Sequence, residues 1–434
     1  MPMLMRIAWR NIWRQRRRTL ITAGAMAFGV AFSMSTIALA IGLFDDMFRM
    51  MVRENMGHVQ IHHPDYPKQR ALYDTIPGGE ELLAQLDALP EAAGGTGRLF
   101  GYALLGAGDE AGGAQLIGVL PALEEAATGV GKKTHEGRFL GPAPAHEIVL
   151  GAGLAESLKV GVGGDVVAVT QAADGSMGND LYNVVGIVQT GSVLQDRAGA
   201  WLHLADLQEL LVLPGQLHEI ALVAPDDDRA QALATATLPL LEHAGRPALT
   251  WEALHPADGA PPATPPEGAL LVRTWRQINP MMAQILSLQD ASIGIVLVMV
   301  FSVAALGVLN TMLMSVLERT KELGVMVALG LRPRQVVLLV LLETLALAAV
   351  ALVGGVALGL LFDGYLAFMG LDFSFMMDSY SWAGVAFEPV MYGVIRVQDI
   401  LFTGIGLFAI SLLAALWPAL QAARLQPVEA MRQE

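Results

Sequence analysis

The fold is decided by two apolar runs, IGIVLVMVFSVAALGVLNTMLMSV at residues 293–316 and VVLLVLLETLALAAVALVGGVALGLLF at residues 336–362. Each run is longer than the roughly 20 apolar residues that a helix needs to cross a hydrocarbon core. The charged segment 317–335 joins them and contains ERTKELG from Glu318 to Gly324. The pattern predicts two transmembrane helices connected by a loop at the membrane surface.

The composition places the chain among polytopic membrane proteins. It is 54% hydrophobic and 16% charged, with a mean hydropathy of +0.49, and the apolar residues are concentrated in four runs. The net charge of −14 argues against a nucleic-acid-binding protein, and we expect no nucleic-acid partner. Cysteine is absent, so neither disulfides nor thiolate metal sites contribute.

The first 19 residues carry six arginines and no acid, interleaved with apolar residues and tryptophan. This spacing predicts an amphipathic helix at the interface, where Trp13 lies at headgroup depth and Arg10 and Arg14 reach anionic lipid. A signal peptide is the alternative, because Ala38 and Ala40 resemble a cleavage site. The preceding apolar stretch of about 19 residues is longer than a signal core, which favours an uncleaved anchor.

The short flanks of the spans differ in basic residues. Six lie in 1–19, four in 317–335 and one in 363–399, where five acids accompany it. The positive-inside rule therefore places both termini and segment 317–335 in the cytoplasm. Residues 45–290, with 31 acids and 14 bases, then lie outside.

We therefore expect an α-helical membrane protein with four transmembrane helices plus a large α+β extracytoplasmic domain. The predicted segments are an interfacial helix at 1–19, spans at 20–44, 292–316, 336–362 and 400–420, the outer domain with a stalk at 45–291, a cytoplasmic loop or short helix at 317–335, an outer loop at 363–399 and a cytoplasmic tail at 421–434. The spacing of the charged residues Glu318 and Glu322 favours the helix.

Within the outer domain, short strand patterns alternate with helical ones. The strands are predicted at 58–61, 114–119, 165–170 and 181–188, and the helices at 80–89, 154–158, 204–213 and 229–243. The proline-rich stretch 255–268 predicts an exposed loop, either a contact loop or a spacer. Residues 269–291 predict a helical stalk that leads into the second span.

Catalytic and metal motifs are not supported. The sequence GVGKK at 129–133 lacks the first glycine and the Ser or Thr of a phosphate-binding loop, so no nucleotide site is supported. No Ser/His/Asp set can be assigned from spacing either, and we expect no enzyme activity in this chain. His58, His62 and His63 lack an acidic or cysteine partner at fixed spacing, so surface or interface histidines are favoured over a metal site. We expect no metal ligands.

Three intramembrane residues stand out. Glu343 is a candidate functional residue because a carboxylate inside a span requires a partner, water or a bundle interior. A structural contact is favoured over a proton relay. Gly355 and Gly359 form a small-xxx-small pair, which predicts close helix packing.

Four segments resemble one known family. ERTKELGVMVALG at 318–330 resembles the ERxxEIGxxxAxG loop of the MacB/FtsX/Lol permeases of ABC transporters. RNIWR at 10–14 is similar to the family's N-terminal start, and GVLP at 118–121, EGRFL at 136–140 and EIVLG at 147–151 are similar to its periplasmic domain. PALQAARLQPVEAMR at 418–432 resembles its C-terminal tail.

This resemblance implies a permease that dimerises with a like or unlike protomer and binds two cytoplasmic ATPase subunits. ATP and Mg²⁺ would then be bound by those subunits and not by this chain. Closure of the ATPases would move the outer domains instead of opening a channel. The residues it assigns to ATPase docking are Glu318, Arg319, Lys321, Glu322, Leu323, Gly324, Met326 and Gly330.

The chain carries no fused N-terminal ATPase, which resembles the lipoprotein-releasing permeases of the bacterial inner membrane. The preferred task is therefore release of lipoproteins to a periplasmic carrier. Two alternatives stay open: export of peptides or small molecules through a periplasmic adaptor and an outer-membrane duct, and signalling to a cell-wall hydrolase.

Overall fold

The computed structural model describes residues 2–256, 261–372, 380–382, 385–387 and 390–424. These residues form two compact units. The helical unit comprises the described parts of Met1–Asp45, Ile285–Met376 and Pro389–Glu434. The α+β unit comprises those of Asp46–Gln284 and Met377–Glu388.

The α-helices in chain order are α1 Pro2–Ile12, α2 Arg16–Phe48, α3 Tyr66–Gln69, α4 Gly79–Asp87, α5 Pro121–Thr128, α6 Ala152–Leu158, α7 Val193–Ala198, α8 Leu204–Leu211, α9 Ala230–His243, α10 Trp251–Leu254, α11 Trp275–Ile278, α12 Pro280–Glu318, α13 Thr320–Ala328, α14 Pro333–Met369 and α15 Val397–Ala423. Short 3-10 turns lie at Trp13–Gln15, Val130–Lys133 and Asp227–Arg229, and a π-helical segment lies at Arg49–Met56.

The strands in chain order are β1 Val59–His62, β2 Ile76–Pro77, β3 Gly94–Ala107, β4 Glu110–Val119, β5 Thr134–Gly137, β6 Glu147–Gly151, β7 Asp165–Gln171, β8 Met177–Val188, β9 Gly199–His203, β10 Gln216–Leu217, β11 Glu219–Val223, β12 Ala248–Thr250, β13 Leu270–Thr274, β14 Leu371–Asp372, β15 Tyr380–Trp382, β16 Val385–Phe387 and β17 Val390–Met391.

Within the described residues, four helical segments are long and apolar enough to cross a membrane, which confirms the predicted number of spans. They are Met3–Met56, Pro280–Glu318, Pro333–Met369 and Val397–Ala423. Each extends past its predicted apolar run, because backbone hydrogen bonding continues through polar residues that no longer need to lie in hydrocarbon. The predicted tail after residue 424 and residues 373–379, 383–384 and 388–389 of the predicted loop 363–399 lie outside the described residues.

The two glycines of α14 lie against α2. A Cβ atom on Gly355 would lie 2.6 Å from Cβ of Val30 and 2.7 Å from the carbonyl oxygen of Ala27. A Cβ atom on Gly359 would lie 3.0 Å from Sδ of Met34. The absence of side chains therefore permits the close approach of the two helices.

The α+β unit is built on a mixed sheet. Its eleven strands among the described residues run in the order β12, β13, β1, β11, β3, β4, β9, β6, β8, β5, while β7 pairs with β3 and β8. Helices α4, α8 and α9 pack on this sheet over a core that includes Leu83, Leu207 and Leu233. The predicted α+β class is confirmed, and each strand and helix predicted between residues 58 and 243 has a counterpart of the same type.

The predicted helical stalk at 269–291 is wrong in its first part. Residues Leu270–Thr274 form β13, which is buried and pairs antiparallel with β1 and parallel with β12. The run of Leu, Leu and Val fits a strand buried on both faces, and pairing on both edges overrides the helical pattern. The helix that leads into the second span begins at Pro280.

The described part of the proline-rich stretch confirms the predicted exposed loop. Residues 261–266 have no regular secondary structure and are exposed, and residues 257–260 lie outside the described residues.

The histidine prediction is corrected. His58 and His62 are buried, not surface residues, because β1 lies inside the sheet between β11 and β13. Nε2 of His62 lies 3.0 Å from Oε1 of Gln60. Burial lowers the pKa of His62 to about 3, so this side chain is neutral at pH 7.

Candidate functional site

The site is built around α13, the short helix between the second and third spans. Helix α12 ends at Glu318, and Arg319 leaves the helical conformation with φ −108° and ψ 17°. The chain then forms α13 and turns again at Gly330, whose φ of +100° favours glycine. These two breaks separate α13 from both spans.

One face of α13 is packed on its own bundle. Leu323 is 3% exposed and joins an apolar cluster with Val316, Val336 and Ala419. Gly324 is buried, and Met326 is half-buried against the same cluster. The structure therefore places Leu323, Gly324 and Met326 in contacts that anchor α13 within the chain.

The other face of α13 is exposed. Lys321 is exposed, Val325 is 45% exposed and Leu329, at the end of the helix, is 82% exposed. These residues are four apart, so they follow one side of the helix. Of these three residues the sequence indicated only Lys321. Val325 and Leu329 are apolar, and the sequence does not show that they lie on the exposed side of the helix.

The two glutamates of the loop bind the N-terminal segment. Glu318 accepts hydrogen bonds from Arg18 at 2.9 Å and from Gln15 at 2.7 Å. Glu322 pairs with Arg14 at 2.5 Å. The hydrogen bond from Arg14 holds the pKa of Glu322 below its usual value. The segment around residues 14–18 therefore lies beside the loop and occupies both of its carboxylates.

Glu343 of α14 is buried and forms hydrogen bonds to two other parts of the chain. Its side chain is 6% exposed, and Nη1 of Arg319 lies 3.0 Å from Oε1 and 3.2 Å from Oε2. Nδ2 of Asn11 donates to Oε1 at 2.6 Å. A cavity of about 120 Å³ adjoins these groups. The carboxylate thus links α1, the start of α13 and the third span.

The remaining predicted interfacial residues lie on the surface of the N-terminal segment. Arg10 is exposed, and Trp13 is half-buried in edge-to-face contact with Trp9 at 5.9 Å between ring centroids. Trp9 itself is 49% exposed. This arrangement matches an amphipathic segment with an exposed aromatic rim.

The α+β unit contains a buried ionic cluster that sequence analysis missed. Arg98 is 2.7 Å from Glu124 and 3.0 Å from Glu219, and all three side chains are less than 9% exposed. Nη1 of Arg98 also donates to the backbone oxygen of Asn55 at 2.5 Å. The cluster ties β3, α5, β11 and the π-helical segment together. No motif spacing marks it, because its members are far apart in sequence.

The exposed side of α13 offers charged and apolar contacts. Within the described ranges, no group of three or more His, Asp or Glu side chains is arranged to hold a metal ion. The loop site presents a charged and apolar face outward on a helix that is anchored inward by Leu323 and braced by ion pairs.

Two family models match the chain. The MacB-like periplasmic core domain matches residues 19–238, which is 220 of the 434 residues, and the FtsX-like permease C-terminal model matches residues 294–427. The first match falls on the first span and much of the α+β unit. The second contains the loop site, most of the second span and the last two spans.

Individual relatives agree with these models. The transmembrane protein LolC of a lipoprotein-releasing system from Neisseria meningitidis is 25% identical over 66% of this chain and 65% of its own length. The macrolide export ATP-binding/permease protein MacB from Chlorobaculum tepidum is 37% identical over 30% of this chain and 17% of its own length. The chain thus spans less than two thirds of the length of each of these curated relatives.

Among solved structures, the periplasmic region of MacB from Actinobacillus actinomycetemcomitans is similar with a TM-score of 0.37 and 12% identity. The match covers 56% of this chain and 97% of that chain. Since one family model alone covers half of the sequence, the chain belongs to the MacB/FtsX/Lol family of ABC transporter permeases.

Proposed function

We propose that this chain is the permease subunit of a mechanotransmission complex and that a separate subunit hydrolyses ATP. The observation that carries the proposal is the two-sided α13, anchored through Leu323 and exposed along Lys321, Val325 and Leu329. An apolar side chain beside a charge on an exposed helix suits docking into a groove of a partner.

The ion pairs that hold α13 determine which other helices would move with it. Arg319 is bonded to Glu343 of α14, and Glu322 is bonded to Arg14, which leads directly into α2. A displacement of α13 by a closing pair of ATPase subunits would therefore exert a force on α14 and α2. Helices α2 and α12 continue in sequence into the α+β unit, which would receive the movement. ATP and Mg²⁺ belong to the partner.

We place α13 and both termini in the cytoplasm of a bacterium and the α+β unit in the periplasm. The arginine-rich segment and α13 lie at the same end of the bundle, since Arg18 binds Glu318. Ala422, near the end of α15, packs in the same cluster as Leu323. The positive-inside rule favours the cytoplasm for this end.

The task that we propose is release of lipoproteins from the inner membrane. LolC from a lipoprotein-releasing system matches two thirds of this chain, whereas the MacB match covers 30% of it. The complex would contain a second permease protomer and two ATPase subunits, and a periplasmic carrier would accept the lipoprotein. Export of a small molecule through an adaptor is the second candidate, supported by the 37% identity to MacB.

The test is co-purification of the tagged chain from its native membrane in mild detergent, followed by mass spectrometry. We expect an ATP-binding subunit and bound lipoproteins. Leu329→Asp should remove most of the ATP-binding subunit. Leu194→Asp, at a 69% exposed position of the α+β unit, should retain it. A preparation of the unmodified chain without any ATP-binding subunit would refute the proposal.

The substrate is tested separately. Depletion of the chain should leave newly made lipoproteins in the inner membrane of spheroplasts supplied with the periplasmic fraction. Re-expression of the unmodified chain should restore their release, and Leu329→Asp should not. Normal lipoprotein release in depleted cells, together with loss of small-molecule efflux, would favour the second candidate.

A further inference from the structure

A second feature of the helical unit lies beside the loop site. It is a groove of about 580 Å³, formed where α2 begins next to the end of α12. The residues that give it its character are Arg16, Arg17, Arg18, Ile21, Met314 and Glu318. The groove thus combines a cluster of cations with two apolar side chains.

The charges in the groove are unbalanced. Arg18 is bonded to Glu318 at 2.9 Å, and this pair neutralises itself. Arg16 and Arg17 are exposed, and among the described residues no carboxylate lies within salt-bridge distance of either. Three arginines and one glutamate leave a net charge of +2. Guanidinium groups bind phosphate oxygens through several N–H donors, so an anionic phosphate ester fits this part of the groove.

The apolar wall points to a ligand with a hydrocarbon part. Ile21 of α2 is 64% exposed and Met314 of α12 is 51% exposed. Both belong to helices long and apolar enough to span a membrane. Exposed apolar side chains on such helices face acyl chains, whereas inorganic phosphate or a nucleotide would leave them without a partner.

We propose that this groove binds one anionic glycerophospholipid, with its phosphate between Arg16 and Arg17 and its acyl chains along Ile21 and Met314. The site lies at the junction of the interfacial segment and the first span. There a headgroup and the start of its acyl chains meet the cationic and apolar parts at once. This inference does not rest on the proposed function, because it requires no ATPase partner.

The test is native mass spectrometry of the full chain in mild detergent, titrated with phosphatidylglycerol or phosphatidylcholine. We expect one tightly bound phosphatidylglycerol and at least tenfold weaker binding of phosphatidylcholine. Arg16→Gln with Arg17→Gln should weaken phosphatidylglycerol binding at least tenfold. Arg6→Gln with Arg424→Gln removes the same charge from exposed positions outside the groove and should leave binding unchanged.

Two further experiments separate the effect of charge from a loss of folding, and binding of a lipid from binding of free phosphate. Arg16→Lys with Arg17→Lys keeps the charge and should retain most of the binding, whereas Ile21→Asn with Met314→Asn should weaken it. Inorganic phosphate at the same concentration should not displace the lipid. Equal losses in the groove and control variants, or displacement by phosphate, would overturn the proposal.

Discussion

Glu343 shows how a costly residue is accommodated in the third span. A buried carboxylate is destabilising unless a cation and hydrogen-bond donors satisfy it, and here Arg319 and Asn11 do so. Glu343 was recognisable in the sequence, but its partners were not, because they lie 24 and 332 residues away. Its partners support the structural contact that the sequence favoured over a proton relay.

This pairing gives a residue-scale prediction. We expect Glu343→Gln to lower the midpoint of thermal unfolding, because it removes the buried carboxylate that accepts two hydrogen bonds from Arg319 and leaves only the more exposed Glu322, at 3.3 Å, as counter-charge. Loss of one partner of a buried pair typically costs about 3–5 kcal/mol when the remaining charge has no other partner. The ion pair of Arg319 with Glu322 makes the expected cost smaller here. Differential scanning fluorimetry of the chain in detergent measures the midpoint. The exchange Arg319→Glu with Glu343→Arg should recover part of the loss. A midpoint equal to that of the unmodified chain in Glu343→Gln would contradict the pairing.

Two buried histidines predict the pH dependence of the α+β unit. Burial lowers the pKa of His62 to about 3 and of His218 to about 4. The unfolded chain binds protons near pH 6.5 while the folded chain does not, so stability falls as the pH drops from 7 towards 4. The loss by pH 5 is about 2 kcal/mol for each histidine. Burial raises the pKa of Glu219, so this carboxylate takes up its proton more readily in the folded chain than in the unfolded chain. Its effect on stability is opposite to that of the histidines, but it involves one proton, whereas the two histidines involve two.

The measurement is the unfolding midpoint of the full chain between pH 7.5 and pH 5. His62→Gln with His218→Gln should flatten the dependence, and His135→Gln, at an exposed position, should leave it as it was. A midpoint that stays constant or rises on acidification of the unmodified chain would show that these histidines do not control stability.

At the scale of elements, the sequence predicted which segments are helices and strands better than it predicted their contacts. The loop helix α13 followed from its charged pattern, but which side packs inward depends on Val316, Val336 and Ala419, contributed by three other helices. The strand β13 was read as helix because its apolar run has no decisive period. Only its pairing with β1 and β12 shows that this segment is a strand and not a helix.

The contact between α14 and α2 gives an element-scale prediction. Gly355→Ala should separate the two helices, because its Cβ would lie 2.7 Å from the carbonyl oxygen of Ala27. Overpacking of this kind costs about 1–3 kcal/mol. Gly364→Ala on the same helix is a matched control, since its Cβ would meet no atom within 4 Å. Equal unfolding midpoints for the two variants would show that the close approach of α14 and α2 does not contribute to stability.

At the scale of the whole molecule, the four spans were predictable because length and apolar content alone decide whether a segment can cross a membrane. The α+β class was predictable because strand and helix patterns alternate along the outer domain. The buried cluster of Arg98, Glu124 and Glu219 was not predictable, because its members come together only when the sheet forms. The same holds for the groove at Arg16 and Arg17, which exists only beside Met314.

The proposed orientation gives a prediction for the intact chain, which is helped by the absence of native cysteine. Asp228→Cys, at an exposed position of the α+β unit, should react with a membrane-impermeant maleimide in intact spheroplasts. Leu329→Cys should react only after lysis. The reverse pattern would invert the topology, and labelling of both positions in sealed cells would place α13 and the α+β unit on one side.

The central claim is that the exposed face of α13 meets an ATP-binding subunit, and site-specific photo-crosslinking in living cells tests it most directly. A photoreactive phenylalanine at position 329 should capture a protein with nucleotide-binding motifs. The same residue at position 194, an exposed leucine of the α+β unit, should not. Capture of an ATP-binding subunit from position 329 alone is the predicted result. Its absence there, or equal capture from both positions, would contradict the account.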